Sequence, residues 1–519
     1  MSTNKKIAKS AGVIGLATLL SRFLGLIRDT VIARFFGTAM YAEAFVVAWR
    51  LPNLLRDLVG EGATNAAFVP VLTEQKTKYG DKEFWHLSNI LLNVMILVLF
   101  VLTVLGMFFS PQLVRLIAPG FASQPDKLNI TINLARVIFP YLFLVGLSAY
   151  GMGVLNSLGH FATPAFGMSI LNLVIIISAV MLGENIAGIA LGILLGGVLQ
   201  LAIQIPPLMK LGFRLEKKIE FRHPAARRIG ILLIPRTIGA SIYQINVFVS
   251  TIMASLSGIV GQGAVAALYY ANRVMQLPLA IFGIALAQAA LPSMSMQYAN
   301  NDIVNLKKTT NFSLRAILFV LVPSTVGLLV LSRPITNVLF ERGHFTSYST
   351  AITSNALFFY AFGLVASGAI KVLVNTFFSM QDTKTPVKIG AISLVVNVVL
   401  NVALMYPLKA GGLALANSVA ATGNFFMLFF ALEKRLGSLD TKILISSFLK
   451  FLVGSIIMGL GCYFLWLKLS SLLNMHTFLI KAAVLTGCIG FGIFVYVVMC
   501  FLLKVSEVKE LLAWILRKK

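Results

Sequence analysis

Guanidinium groups recur inside stretches that are otherwise built for hydrocarbon. Ser21-Arg22-Phe23-Leu24-Gly25-Leu26-Ile27-Arg28-Asp29 lies midway along one apolar run, and Trp49-Arg50-Leu51-Pro52-Asn53 with Arg56 lies in a second. Tyr269-Tyr270-Ala271-Asn272-Arg273 and Lys371 lie in two later runs. An Arg at mid-membrane costs about 2.5 to 3.5 kcal/mol on an insertion scale, so repeated use of one calls for a compensating role. The six cations Arg22, Arg28, Arg50, Arg56, Arg273 and Lys371 face only Asp29, Asp57 and Glu61, with Glu43 near a helix end. Such an excess is satisfied by an anionic ligand, and the planar guanidinium fork matches phosphate oxygens. The plain alternative is pairing with those carboxylates, or snorkelling to an interface, which suits Arg34 and Arg136 near helix ends.

Helical spacing sorts these side chains. Ser21, Gly25 and Arg28 share one face of the first helix, and Arg22 and Asp29 share the adjacent one. Gly25 leaves room for the close approach of a backbone or a ligand. In the second helix Arg50, Asn53, Asp57 and Glu61 fall within about 80° of one another, a polar stripe that should face protein or water. Pro52 removes a backbone donor there and predicts a kink.

Other chemistries find little footing. The sequence has no HExxH, GxxxxGK[ST] or CxxC motif, and its five histidines are scattered over loops and helix ends. Cys462, Cys488 and Cys500 lie in apolar runs without paired spacing, which indicates neither disulfide nor metal. No cofactor is expected, and the chain reads as a transporter rather than an enzyme.

The elements that must position the arginines are membrane helices. Of 519 residues 58% are hydrophobic and 12% charged, with mean hydropathy +0.89, far from the quarter charged that is usual in soluble domains. Spanning runs of roughly 20 apolar residues predict about fourteen helices, near 7–35, 43–72, 86–109, 130–156, 163–182, 186–209, 229–256, 263–297, 312–332, 350–379, 386–406, 411–432, 443–467 and 479–503. The basic N-terminus followed by apolar residues reads as a retained first helix, because Arg22, Arg28 and Asp29 interrupt the run. The net charge is +25, and most of the Lys and Arg fall on the side that includes both ends, the 73–84 loop and the 210–228 loop, which carries Lys210, Arg214, Lys217, Lys218, Arg222, Arg227 and Arg228. The positive-inside rule makes that side cytoplasmic, with both termini on it, and anionic membrane lipids are natural neighbours of so basic a surface.

An internal repeat is also legible. Ala67-Phe68-Val69-Pro70 precedes Ala289-Ala290-Leu291-Pro292 by 222 residues, and Ser157-Leu158 with Thr163-Pro164 precedes Ser379-Met380 with Thr385-Pro386 by the same offset. Gly188-Ile189-Ala190-Leu191 and Gly412-Leu413-Ala414-Leu415 match after a two-residue slip. The expected architecture is therefore an all-α polytopic membrane protein, with two parallel six-helix lobes around a cationic cavity and two additional C-terminal helices. The lobes are placed at 1–222 and 223–437, and the extra helices with a basic tail at 438–519. Parallel repeats of this kind rock about a shared site.

The stretches SRFLGLIRD at 21–29, AFVVAWRLPNLLRDLVGEGA at 44–63 with AAFVP following, APGF at 118–121, YYANR at 269–273 and QDTKTPVKI at 381–389 closely resemble the MurJ (MviN) lipid II flippases of the MOP exporter superfamily. The likeness runs from the first helix through the twelfth. It implies movement of lipid II, an undecaprenyl-diphosphate-linked disaccharide pentapeptide, from the cytoplasmic to the periplasmic leaflet of the bacterial inner membrane by alternating access. By motif, the family's essential cavity arginines fall on Arg22, Arg28 and Arg273, where they would hold the diphosphate. Asp29, Arg56 and Glu61 match further functionally important positions, and Arg50 stands where some relatives carry Lys and Glu43 where some carry Asp, charge being kept in both. Other cell-wall synthesis proteins are expected as partners. Some relatives are thought to bind sodium through acidic side chains. Here the corresponding spans offer only Asn246, Asn397 and Asn401, which argues against a sodium site and leaves membrane potential as a candidate for resetting the empty cavity.

Three other readings compete. A flippase for polyprenyl-diphosphate-linked polysaccharide precursors handles the same diphosphate, and only the motif resemblance separates the two. A drug or cation exporter of the same superfamily would favour acidic or aromatic cavities, against the cationic excess. A non-transporting scaffold would tolerate cavity substitutions and depend on its basic loops.

Overall fold

The computed structural model describes residues 3–59, 61–216, 220, 223–475, 477–505 and 507, and within these the side chains other than 3–11, 13, 14, 57–59, 61–67, 232–240, 242 and 243. The side chains of Asp57 and Glu61, two members of the expected polar stripe, thus lie outside the described residues. Among the described residues the secondary structure is helical throughout. The chain divides into compact units at 1–258 and 259–519.

The first unit contains α1 Thr3–Phe36, α2 Met40–Val59, α3 Glu61–Phe108, α4 Ser110–Ile117, α5 Pro125–Ile138, α6 Pro140–Ser157, α7 Ala162–Leu182, α8 Ile186–Ala202, α9 Ile205–Lys210 and α10 Pro224–Ser255. After the single turn α11, Ser257–Val260, the second unit contains α12 Ala264–Pro278, α13 Ala285–Ala299, α14 Ile303–Phe340, α15 Ser347–Ala361, α16 Leu364–Ser379, α17 Lys384–Leu436, α18 Thr441–Leu472 and α19 Phe478–Leu502. Proline starts several of these, at Pro125, Pro140 and Pro224, where its missing N–H has no helical partner to lose.

Among the described residues nine helices are long and apolar enough to cross a bilayer, or ten if the pair α15 and α16, bent by 45°, is taken as one. One of these runs holds two of the fourteen expected spans. The 53 residues of α17 would reach about 80 Å if straight, against a hydrocarbon core of about 30 Å, so the run has to break. It does so at Lys409, with φ 52° and ψ −133°. Gly412 then lies so near the Leu404 carbonyl that a Cβ would be 2.1 Å from its oxygen. This one run contains the expected eleventh and twelfth spans. In the same way α3 breaks at Gly80, with φ 82°.

The repeat is visible in the helix boundaries. α6 ends at Ser157 and α16 at Ser379, and α7 starts at Ala162 and α17 at Lys384, both 222 residues apart. α10, read as the opening helix of the second lobe, packs on α2, α3 and α4 of the first unit. Its start is tied to α3 through Arg228 and Glu74 at 2.8 Å, and His223 Nε2 lies 3.1 Å from Glu83 Oε1. The segment before it is held along α3 by Asn89, which donates to Arg214 O at 3.0 Å and accepts from Glu216 N at 2.9 Å.

Apolar side chains close each unit separately. Phe68, Leu72, Phe84, Tyr150 and Val154 centre one cluster in the first unit. In the second, Val322, Phe451, Met458 and Tyr496 seat α18 and α19 on α14, and the Tyr496 hydroxyl donates to Phe319 O at 2.7 Å.

Candidate functional site

In the first unit the polar groups of α1 are held against α7. Arg28 is 4% exposed and Asp29 is fully buried. The guanidinium donates to Asp29 Oδ1 from Nε at 3.0 Å and from Nη2 at 2.7 Å, and from Nη1 to Asn172 Oδ1 at 3.0 Å. The Asn172 amide donates in turn to Ser21 O at 3.2 Å. Hydrogen-bonded on two edges, the group has a fixed orientation that a flexible ammonium would not keep. Arg28 is therefore an ion-paired arginine, not part of an unpaired cationic excess, and its partner is the adjacent residue, which face-sorting by periodicity had set apart. Arg22, six residues earlier, is exposed. A Cβ at Gly25 would meet only Asn172 Nδ2, at the ordinary contact distance of 3.8 Å, so protein packing there does not demand glycine.

The half-buried Arg50 of α2 donates through Nη1 to Thr251 Oγ1 of α10, and Thr251 itself donates to Val247 O at 2.6 Å. Arg56 is half-buried. Trp49, 5% exposed, lies against Tyr141 with ring centres 5.1 Å apart, so the polar edge of α2 is backed by an aromatic one. Sequence reasoning missed a buried pair at the start of this helix. Glu43 and Lys127 are each 3% exposed and form an ion pair, and the ammonium lies 4.0 Å from the Phe121 ring centre. Lys127 carries no local signal, because its partner is distant in sequence and meets it only once α2 packs on α5.

In the second unit YYANR forms a turn with two faces. Tyr270, 1% exposed, packs into the core beside Phe340 and Phe345 at 5.2 and 5.9 Å. On the other face Arg273 donates through Nη2 to the Tyr269 hydroxyl at 3.2 Å, with its guanidinium carbon 5.2 Å from that ring centre. Gln276 extends the polar edge and donates to Asn272 Oδ1 at 2.6 Å. Just beyond it, Leu279–Ile284 forms a π-helical segment. Such segments recur at functional sites and re-aim the residues beside them. Pro278 was the signal that could have marked it.

Lys371 of α16 is exposed. Two asparagines of α17 are buried: Asn401, fully buried, donates to Asn397 Oδ1 at 2.8 Å. Among the described residues no cluster of three or more His, Cys, Asp or Glu side chains is placed to hold a metal ion.

A multi-pass helical protein in which helix boundaries recur 222 residues apart, with guanidinium groups carried on its helices, has the architecture of a membrane transporter. Comparison with known proteins defines it more closely. The family model for the lipid II flippase MurJ matches residues 32–483. A probable lipid II flippase MurJ from Vibrio cholerae is 33% identical, with 99% of each chain covered, and one from Rhizobium meliloti is 35% identical, covering 95% of this chain and 94% of that one. A solved structure of lipid II flippase MurJ in an inward closed conformation matches with a TM-score of 0.79 at 28% identity, covering 95% of this chain and 99% of that one. A multidrug resistance MATE family transporter of the MOP superfamily, at 14% identity and a TM-score of 0.68, shares the fold. The chain belongs to the lipid II flippase MurJ family, a family of transporters and not of enzymes.

Proposed function

We propose that the chain moves lipid II from the cytoplasmic to the periplasmic leaflet of the inner membrane by alternating access, with Arg22, Arg28 and Arg273 as the groups that hold the diphosphate. The observation that carries the reading is the arrangement on α1. Arg28 is fixed by Asp29 and Asn172, and an exposed Arg22 stands less than two turns away. Fixed guanidinium donors suit phosphate oxygens without reorganisation. Arg273, backed by Tyr269, supplies the same chemistry from the second unit, and Arg50, Arg56, Asp29 and Glu61 support it.

In this reading both termini face the cytoplasm, together with the exposed basic residues Lys76, Lys78, Arg214, Arg227 and Arg228. No bound cofactor takes part, and the membrane potential resets the empty cavity, at about 2.3 kcal/mol per charge per 100 mV. The test is translocation of labelled lipid II in vesicles reconstituted with the purified protein, with and without an imposed potential. Neutralising Arg28 or Arg273 is expected to abolish translocation and complementation at normal membrane abundance. Retained transport would remove these residues from the site, and a full rate without potential would remove the electrical reset.

A further inference from the structure

Residues on or beside four helices of the first unit, α1, α6, α7 and α8, line a half-open cavity of about 300 Å³. Its lining contains no ionisable side chain. The polar groups are Thr18, Ser148, Asn156, Gln200 and Gln204, set among apolar walls that include Phe161 and two methionines. Gln200 and Gln204 are 5% and 1% exposed. Gln204 Nε2 donates to Ser148 Oγ at 2.7 Å and to Gln200 O at 3.4 Å, and the Gln200 amide nitrogen faces the Met168 sulfur at 3.7 Å. The oxygen of each amide, Gln200 Oε1 and Gln204 Oε1, has no hydrogen-bond partner. Leaving a buried amide acceptor unfilled costs about 1 to 3 kcal/mol, and two in one cavity point to an occupant that brings donors.

The place of the cavity narrows the occupant. Thr18 is one helical turn before Arg22 on α1, and Met168 is one turn before Asn172 on α7, about 6 Å along each helix. The cavity therefore adjoins the Arg22 and Arg28 site on its side towards the N-terminal ends of both helices. The absence of charge excludes a further phosphate or a carboxylate. Orphan acceptors, hydroxyls and an aromatic wall fit a neutral group with O–H and N–H donors and an apolar face. A volume of about 300 Å³ is at the lower end of small-molecule sites, enough for one sugar ring and too small for a disaccharide with its peptide.

We propose that this cavity is the subsite for the N-acetylated sugar joined directly to the diphosphate, with Gln200 and Gln204 accepting from its hydroxyl or amide donors. The assignment rests on the reading that Arg22 and Arg28 hold the diphosphate. It is tested by binding to the purified full-length protein of undecaprenyl diphosphate and of the same lipid bearing one N-acetylhexosamine and no peptide. Two neutral hydrogen bonds predict a preference of about tenfold for the sugar-bearing lipid. The double variant Gln200→Leu with Gln204→Leu is expected to lose that preference and keep its affinity for the bare diphosphate. Ala165→Phe, which fills the cavity and removes no polar group, is expected to do the same and decides the matter if the double variant does not fold. Equal binding of both lipids by the wild type, or a preference that survives in the variants, would overturn the subsite and mark a cavity that holds only water. Undiminished binding of bare undecaprenyl diphosphate by Arg22→Ala with Arg28→Ala would instead overturn the diphosphate reading.

Discussion

Lys127, in the first turn of α5, forms a buried ion pair with Glu43, in the first turn of α2, beneath the ring of Phe121. Removing one partner strands a charge away from water, at about 3 to 5 kcal/mol, whereas removing both strands none. Glu43→Gln and Lys127→Met should each lower thermal stability in detergent by that order, and the double variant should lie well above the sum of the two losses. Additive losses would mean that the pair does not couple α2 to α5.

Arg28 depends on shape as well as charge. Its three donors reach Asp29 and Asn172 on two edges, a geometry that a single ammonium does not reproduce. Arg28→Lys is therefore expected to fail in complementation nearly as completely as Arg28→Ala, at equal abundance. Growth supported by the lysine variant would show that charge alone suffices.

Tyr269 presents both a hydroxyl and a ring face to Arg273. Tyr269→Phe keeps the face and should change lipid II translocation little. Tyr269→Leu loses both contacts and should slow it by about two- to fivefold, the scale of an exposed cation–π contact. Equal rates for the two variants would remove the ring from the positioning of Arg273.

Asp382, in the QDTKTPVKI stretch, caps α17. It accepts from the backbone N–H groups of Lys384 and Thr385 at 3.0 Å, from the Thr385 hydroxyl at 2.6 Å, and from Arg435. Burial alone would raise its pKa, but the bonds from Thr385 and Arg435 outweigh it and hold the carboxyl at about 2. A depressed pKa adds stability above the unfolded-state value of about 3.9, and that stability is lost as pH falls from there towards about 2. The wild type should lose thermal stability across this window more steeply than Asp382→Asn, which should be the less stable of the two at neutral pH. Parallel pH profiles would exclude the cap as an acid-sensitive element.

Gly120, in the APGF stretch, lies against the end of α10. A Cβ there would come within 2.0 Å of the Ser255 carbonyl oxygen, and the Gly120 N–H donates to Ser255 Oγ at 3.0 Å. Gly120→Ala has to push backbone from backbone, so a loss of about 1 to 3 kcal/mol is expected, read as a lower melting temperature. An unchanged melting temperature would mean that α10 does not rest on this loop.

Residues whose partners are local were legible in the sequence. The arginines of α1 and the YYANR turn stand out because charge is costly in an apolar run, and the 222-residue repeat places the ends of α6 and α16. Partners brought together only by packing left no trace. Lys127 gives no hint of Glu43, and Gln200 and Gln204 pass as ordinary residues of an apolar span until α6 and α7 close around them. Proline is a poor guide to the breaks: α2 runs on through Pro52, whereas the break at Lys409 is set by the need to fold 53 helical residues into a thin bilayer. The side on which α10 packs could not be read, because its apolar composition suits either unit.

Arg28 and Asp29 are consecutive residues, so the guanidinium carries its counter-charge wherever α1 goes. Asn172 belongs to another helix and can be left behind. Sliding α1 along α7 would thus expose or mask one N–H edge while the local charge stayed the same. An anion at this place would gain or lose a hydrogen bond without any change in its long-range attraction, which makes its grip adjustable by helix position alone.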